Sequence, residues 1–162
     1  MGCKWSEVRV FSPRLNYEQH YAARFVMQLM KHEHHIIFDG VCNLCNGTVL
    51  FILKRDSKKR FMFTALQTHA GKEILSQSNI PPSNFSTVVY IKKGVTHLKS
   101  TAILNILKDL GWCWNLFYIL IIIPPCIRDF IYDIIAKNRY NIFGRRESCM
   151  VPSAELRERF LL

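Results

Sequence analysis

A chain of 162 residues, 49% of them hydrophobic, is long enough to fold as one domain that buries roughly two thirds of the surface its unfolded form exposes, without disulfide staples. Its formal charge of +10 raises the question of nucleic acid, but the cations are dispersed. Lys54, Arg55, Lys58, Lys59 and Arg60 follow an apolar helical pattern, where the negative end of a helix dipole favours them. The cations from Arg128 to Arg159 alternate with acids. Both sets read as solvated faces, so no nucleic-acid partner is expected. The six cysteines, Cys3, Cys42, Cys45, Cys113, Cys126 and Cys149, form no regular framework, and the N-terminus lacks the apolar core of a secretory signal. A reducing, cytoplasmic setting with one working pair is expected.

Residues 1–33 mix polar, aromatic and proline residues without period and read as an extension, with the domain proper over 34–162. Late in the extension, Tyr21, Phe25, Val26, Leu29 and Met30 have the spacing of a short amphipathic helix. Met1-Gly2 with Ser6 fits the N-myristoylation pattern, with Cys3 as a second acylation point, but so short a match arises readily by chance. Beyond it the periodicities predict a strand over 36–38, helix 46–55, strand 61–66, helix 70–77, strands 87–91 and 96–99, and helix 101–110. Lys93-Gly94 supplies the turn that makes the last two strands an antiparallel hairpin. The order βαβαββα gives an α/β fold, a mixed sheet with helices packed on its faces. From Trp112 to Ile127 the chain is almost wholly apolar, and it stops at Pro124-Pro125. That run falls short of the ~20 apolar residues that span a bilayer. It is expected to pack within the domain, and membrane association is not favoured. A helix over 128–136 and a last short helix over 152–162, capped by Ser153, complete the chain.

The chemistry lies between the first strand and the first helix, in Asp39-Gly40-Val41-Cys42-Asn43-Leu44-Cys45. Two thiols three residues apart share one side of a helical turn and can close a small disulfide ring. Only a thiolate attacks a disulfide, and a free thiol of pKa ~8.5 is mostly protonated near neutral pH. Lowering one thiol to a pKa of ~7 requires roughly 2 kcal/mol, whereas a helix N-terminus contributes ~0.3–1 kcal/mol. Backbone N–H groups and a hydrogen bond from the partner thiol must supply the remainder. Cys42, nearer the loop, is expected to be the more exposed thiol and the nucleophile, with Cys45 as the resolving thiol. Asp39 either caps the loop or takes up the proton that Cys45 must lose. Gly40 is read as backbone freedom in a tight loop.

An element order of this kind, with a dithiol at the N-terminus of the first core helix, resembles a thioredoxin-like domain. The D-x-x-C-x-x-C spacing of Asp39, Cys42 and Cys45 recurs with Arg128-Asp129, Tyr132, Asn138-Arg139-Tyr140 and Phe143-Gly144-Arg145 ahead of Cys149. Together they resemble the DCC family of thiol-disulfide oxidoreductases, over most of the chain outside the extension. The resemblance implies a thioredoxin-like mixed sheet flanked by helices, with extra C-terminal helices, and dithiol–disulfide exchange on a disulfide-containing protein or a small-thiol substrate. No cofactor is expected. One departure stands out: thioredoxins carry a cis-proline just before the strand facing the dithiol, and here Ser86-Thr87 holds that place. A non-catalytic thioredoxin-like module that binds a partner or senses redox state is the alternative.

His32, His34 and His35 precede the pair, but a structural zinc site takes four ligands and usually a second close pair, so they read as loop histidines and no metal is expected. Cys113 and Cys126 flank the apolar run and read as core; Cys149 reads as a small buried hydrophobe. Arg139 and Arg145 read as solvated or carboxylate-paired.

Overall fold

The computed structural model describes residues 33–77, 87–147 and 154–161. The N-terminal extension, the acylation pattern at Gly2 and Cys3, His32, Cys149 and Ser153 lie outside these residues. In chain order the elements are β1 (His34–Phe38), α1 (Asn43–Arg55), β2 (Phe61–Ala65), α2 (His69–Gln77), β3 (Val89–Lys92), β4 (Val95–Leu98), α3 (Lys99–Leu110), a 3-10 helix (Trp112–Ile122), α4 (Pro125–Phe143), a second 3-10 helix (Ala154–Arg159) and β5 (Phe160–Leu161). The five strands form one sheet in the order β4-β3-β1-β2-β5. β1 runs parallel to β2 and antiparallel to β3, which places Ile36 between Phe63 and Tyr90. This is the α/β, thioredoxin-like arrangement that the order of elements predicts.

β1 is central, so both its faces are covered and Ile36, Ile37 and Phe38 are all buried. That is why this strand reads as an unbroken apolar run rather than an alternation. On one face, Val49 and Ile52 of α1 and Ala102 and Ile106 of α3 pack with Ile36, Phe38, Phe61 and Phe63. On the other, Ile74 of α2 packs on Ile37 and Val89. α2 lies so close that a Cβ on Gly71 would stand 2.2 Å from the Ala65 carbonyl oxygen. The β3–β4 hairpin turns through Lys93 (φ 50°) and Gly94 (φ 79°), the paired left-handed conformation of a two-residue turn.

At the C-terminal end one expectation fails and another holds only in part. In place of a terminal helix over 152–162, a 3-10 turn leads into β5, which pairs parallel with β2 at Phe63↔Phe160 and Thr64↔Leu161. Arg159 anchors this turn in a buried ion pair with Asp56 and donates to the Phe61 carbonyl. The apolar run packs against the domain on one side only. It forms the first 3-10 helix, which lies on α3 and leaves Leu116, Ile119 and Ile122 exposed. A segment apolar on every side cannot bury all of it against one neighbour. Among the described residues, no helix is long and apolar enough to cross a membrane.

Candidate active site

β1 delivers the chain to Asp39, and α1 begins at Asn43, three residues ahead of the Asn46 that periodicity marks. Cys42 is therefore the N-cap, with extended backbone (φ −85°, ψ 123°). Its Sγ accepts the Cys45 N–H at 3.4 Å, the position an oxygen of Ser or Asp takes in an ordinary cap. Cys45 stands one turn inside, and both cysteines are free thiols. Cys42 is not the more exposed of the two: it is 0% accessible and Cys45 8%. The cover is the chain leaving α4. Gly144 accepts the Asn43 N–H at 3.4 Å, the Arg146 N–H donates to the Val41 carbonyl at 2.8 Å, and Cys42 forms an isolated antiparallel bridge with Arg145.

Asp39 is buried and fully engaged. Its Oδ1 accepts from the Val41 N–H at 3.2 Å and from Gln67 Nε2 at 2.8 Å. Its Oδ2 accepts from Arg139 Nη2 at 2.7 Å and from the Tyr140 hydroxyl. Burial alone would raise its pKa, but the hydrogen bonds from Tyr140, Gln67 and Val41 and the Arg139 charge outweigh it and hold the carboxyl below its usual value. Gln67 also accepts the Gly40 N–H through Oε1 at 3.0 Å, while Asn46 Nδ2 donates to the Gly40 carbonyl at 2.9 Å. Gly40 is thus held from both sides, and among the described residues the glycines with positive φ are Gly94, Gly111 and Gly144, not Gly40.

Burial pushes the Cys45 thiol up to about 12, reinforced by its hydrogen bond with Cys42 and by the charge a Cys42 thiolate would carry; Arg139 acts the other way. Arg139 itself is buried, at 4% side-chain exposure against 6% for Asp39, so the carboxylate-paired reading of this arginine is the right one. Tyr132 projects from α4 to the chain entering β3, where its hydroxyl accepts the Val88 N–H at 2.9 Å and the Thr87 hydroxyl at 3.1 Å. The arrangement combines a capping sulfur, a second thiol kept protonated, and a buried carboxylate–guanidinium pair beside them.

Residues 36–145 match the model of the DCC1-like thiol-disulfide oxidoreductase family. The chain belongs to this family. Among curated proteins, the DCC1-like chain is 44% identical over 126 residues to an "Uncharacterized protein YuxK" of Bacillus subtilis, covering 78% of this chain and 92% of that relative. It is 42% identical over 115 residues to "DCC family protein At1g52590, chloroplastic" of Arabidopsis thaliana, covering 70% of this chain and 67% of the relative. No solved structure gives a significant match.

Other candidates fall away from the DCC1-like dithiol. His34 and His35 are strand residues of β1, not loop residues; His34 Nδ1 meets the Tyr90 hydroxyl at 2.5 Å. Among the described residues no three His, Cys, Asp or Glu converge as metal ligands. Cys113 and Cys126 are exposed rather than core, because the run between them lies on the surface. Cys126 is also disulfide-bonded, which the expectation of one working pair did not foresee. Arg145 is exposed beside the Tyr140 ring, 5.7 Å from its centroid. The residue that sequence reasoning missed is Gln67. The parallel register of β1 and β2 sets Phe38 beside Ala65, and continuing both strands brings Asp39-Gly40 to Gln67; no local pattern announces that meeting.

Proposed function

We propose that this chain is a thiol-disulfide oxidoreductase that exchanges disulfides through Cys42 and Cys45. The observation that carries the reading is the N-cap position of Cys42, with its sulfur accepting the Cys45 N–H. A negative sulfur there meets a backbone donor and the positive end of α1. Family membership supports the same reaction class.

In the reductive direction the Cys42 thiolate attacks one sulfur of the substrate disulfide. The substrate S–S bond breaks, and one half leaves as a thiolate that takes a proton from solvent. Cys45 then releases its proton to solvent, attacks Cys42 Sγ and breaks the mixed disulfide, and the second half leaves as a thiolate that takes up a proton. Two electrons pass to the substrate and a Cys42–Cys45 disulfide remains. With its pKa pushed up to about 12, Cys45 at pH 8 is thiolate in only about one molecule in ten thousand, so it does not compete as the first nucleophile. Asp39, held ionised by four donors, suits positioning of Arg139 and the loop better than proton uptake. The substrate class proposed is a disulfide-containing protein or small disulfide compound. The cytoplasmic setting is also part of the proposal; it is carried by the irregular cysteine spacing and opposed by the disulfide at Cys126.

Cover over Cys42 is the one observation that favours the alternative, a closed module that senses redox state without turnover. Turnover of glutathione disulfide with a dithiol reductant separates the two. The wild type is expected to turn over, Cys42→Ser to lose about a hundredfold or more, and Cys45→Ser to accumulate mixed disulfides. A wild type that fails to exchange overturns the enzyme reading. More rapid alkylation of Cys45 than of Cys42 at neutral pH reverses the two roles.

A further inference from the structure

α4 is built inside out. Its buried side chains are charged, Arg128 and Arg139, and between them Tyr132 reaches inward to Thr87 and Val88. The outward side carries Ile127, Phe130, Ile131, Ile134 and Ile135, all exposed, recurring at the three- and four-residue intervals that normally mark a helix face turned to the core, with Ile142 exposed two turns further on. Across Pro124 the 3-10 helix exposes apolar side chains of its own. Ile122 is 79%, Leu116 74% and Phe130 67% exposed. Scattered exposed leucines need no explanation, but large apolar side chains exposed along two successive helices do.

Charge selects the occupant. The acids of α4 turn away from the face: Asp129 accepts the Ser100 hydroxyl, and Asp133 pairs with Lys99 at 2.7 Å. Lys137, Arg145 and Arg146 are exposed at the C-terminal end of α4, with Glu147 as the acid beside them. At the 3-10 helix, Arg55 lies 5.0 Å from the Trp114 ring centroid and Lys108 4.0 Å from that of Tyr118. A second copy would bring the same exposed cations with it, and the formal charge of +10 opposes self-association further. A phospholipid surface with anionic headgroups supplies both the opposite charge and an apolar layer. We propose that the 3-10 helix and the outward stripe of α4 form a docking face for an anionic phospholipid bilayer, lying in the interface without crossing it.

The test is co-sedimentation of the full chain with vesicles of phosphatidylcholine and phosphatidylglycerol, and with phosphatidylcholine alone, at low and high salt. The wild type is expected to partition onto the anionic vesicles, to bind neutral ones more weakly, and to be released by salt. Ile122→Ser with Phe130→Ser is expected to weaken binding about tenfold or more while the dithiol still turns over disulfide; both side chains face solvent, so the fold does not depend on them. Lys137→Glu is expected to weaken binding to anionic vesicles and to leave neutral ones unchanged. Three results would overturn the proposal: no partitioning of the wild type, equal binding by the double serine variant, or a wild-type dimer that this variant converts to monomer, which would give the face to a second copy.

Discussion

Asp39 and Arg139 lie 100 residues apart in the chain and meet at 2.7 Å in the interior. Such a pair makes little net contribution when intact but is costly to break, because the surviving charge is left buried. Asp39→Asn keeps an acceptor for the Val41 N–H, yet it removes the anion that faces both Arg139 and the Tyr140 hydroxyl. Stability in urea is expected to fall by about 3 kcal/mol or more. Adding Arg139→Leu to Asp39→Asn should restore a large part of that loss, and additive losses in the double variant would count against the pair. From the capping role alone, Asn would be expected to replace Asp39 almost without loss; the buried arginine removes that equivalence. At this scale the D-x-x-C-x-x-C spacing made Asp39, Cys42 and Cys45 legible, since local spacing fixes which groups share a helical turn. Gln67 and the Arg139 contact were not legible, because they depend on strand register and on the path of a distant helix.

At the scale of elements, the chain beyond α4 is bonded across the dithiol loop at Val41, Cys42 and Asn43. α4 starts where Pro125 takes its first turn, a position that needs no N–H, and it stops at Gly144, whose φ of 78° and ψ of 170° belong to a region that is essentially glycine's own. A Cβ there would also stand 3.2 Å from Asn43 Nδ2. Gly144→Ala is expected to cost about 1–3 kcal/mol and to loosen the bridge between Cys42 and Arg145, so that iodoacetamide reaches Cys42 faster. An unchanged alkylation rate would mean that this segment does not control access. Strand and helix alternation was readable because each element carries its own period, and the Lys93-Gly94 hairpin because its turn chemistry is local. β5 was not: two residues carry no period, and only the open edge of β2 makes them a strand. The apolar run misled for a physical reason. Hydrophobicity says that a segment avoids water, but not whether its own domain has room to cover it.

Across the whole molecule, the shifted groups favour unfolding at both ends of the pH scale and stabilise the fold between them. His34 is pushed below 6.5, by burial first and against the pull of Asp109, and Asp39 is held below 3.8. For both, the unfolded chain binds protons that the fold resists, so the stability they contribute is lost as pH falls, first below about 6.5 and then below about 4. Cys45 moves the other way, from 9.0 to about 12, chiefly through burial. Tyr90, Tyr132 and Tyr140 are likewise raised above 10.0 by burial. Their protons stay on in the fold and come off in the unfolded chain, so this stability is full below about pH 9 and is lost as pH rises through the folded values. Urea midpoints are therefore expected to form a plateau between about pH 7 and about pH 8.5, with a decline on either side. Cys45→Ser separates the contributions on the alkaline side. It should flatten the first part of that decline, between about pH 9 and about pH 10, and leave the tyrosine-driven fall above it. An alkaline limb that is the same in wild type and variant would mean that the Cys45 thiol is not held protonated by its burial beside Cys42.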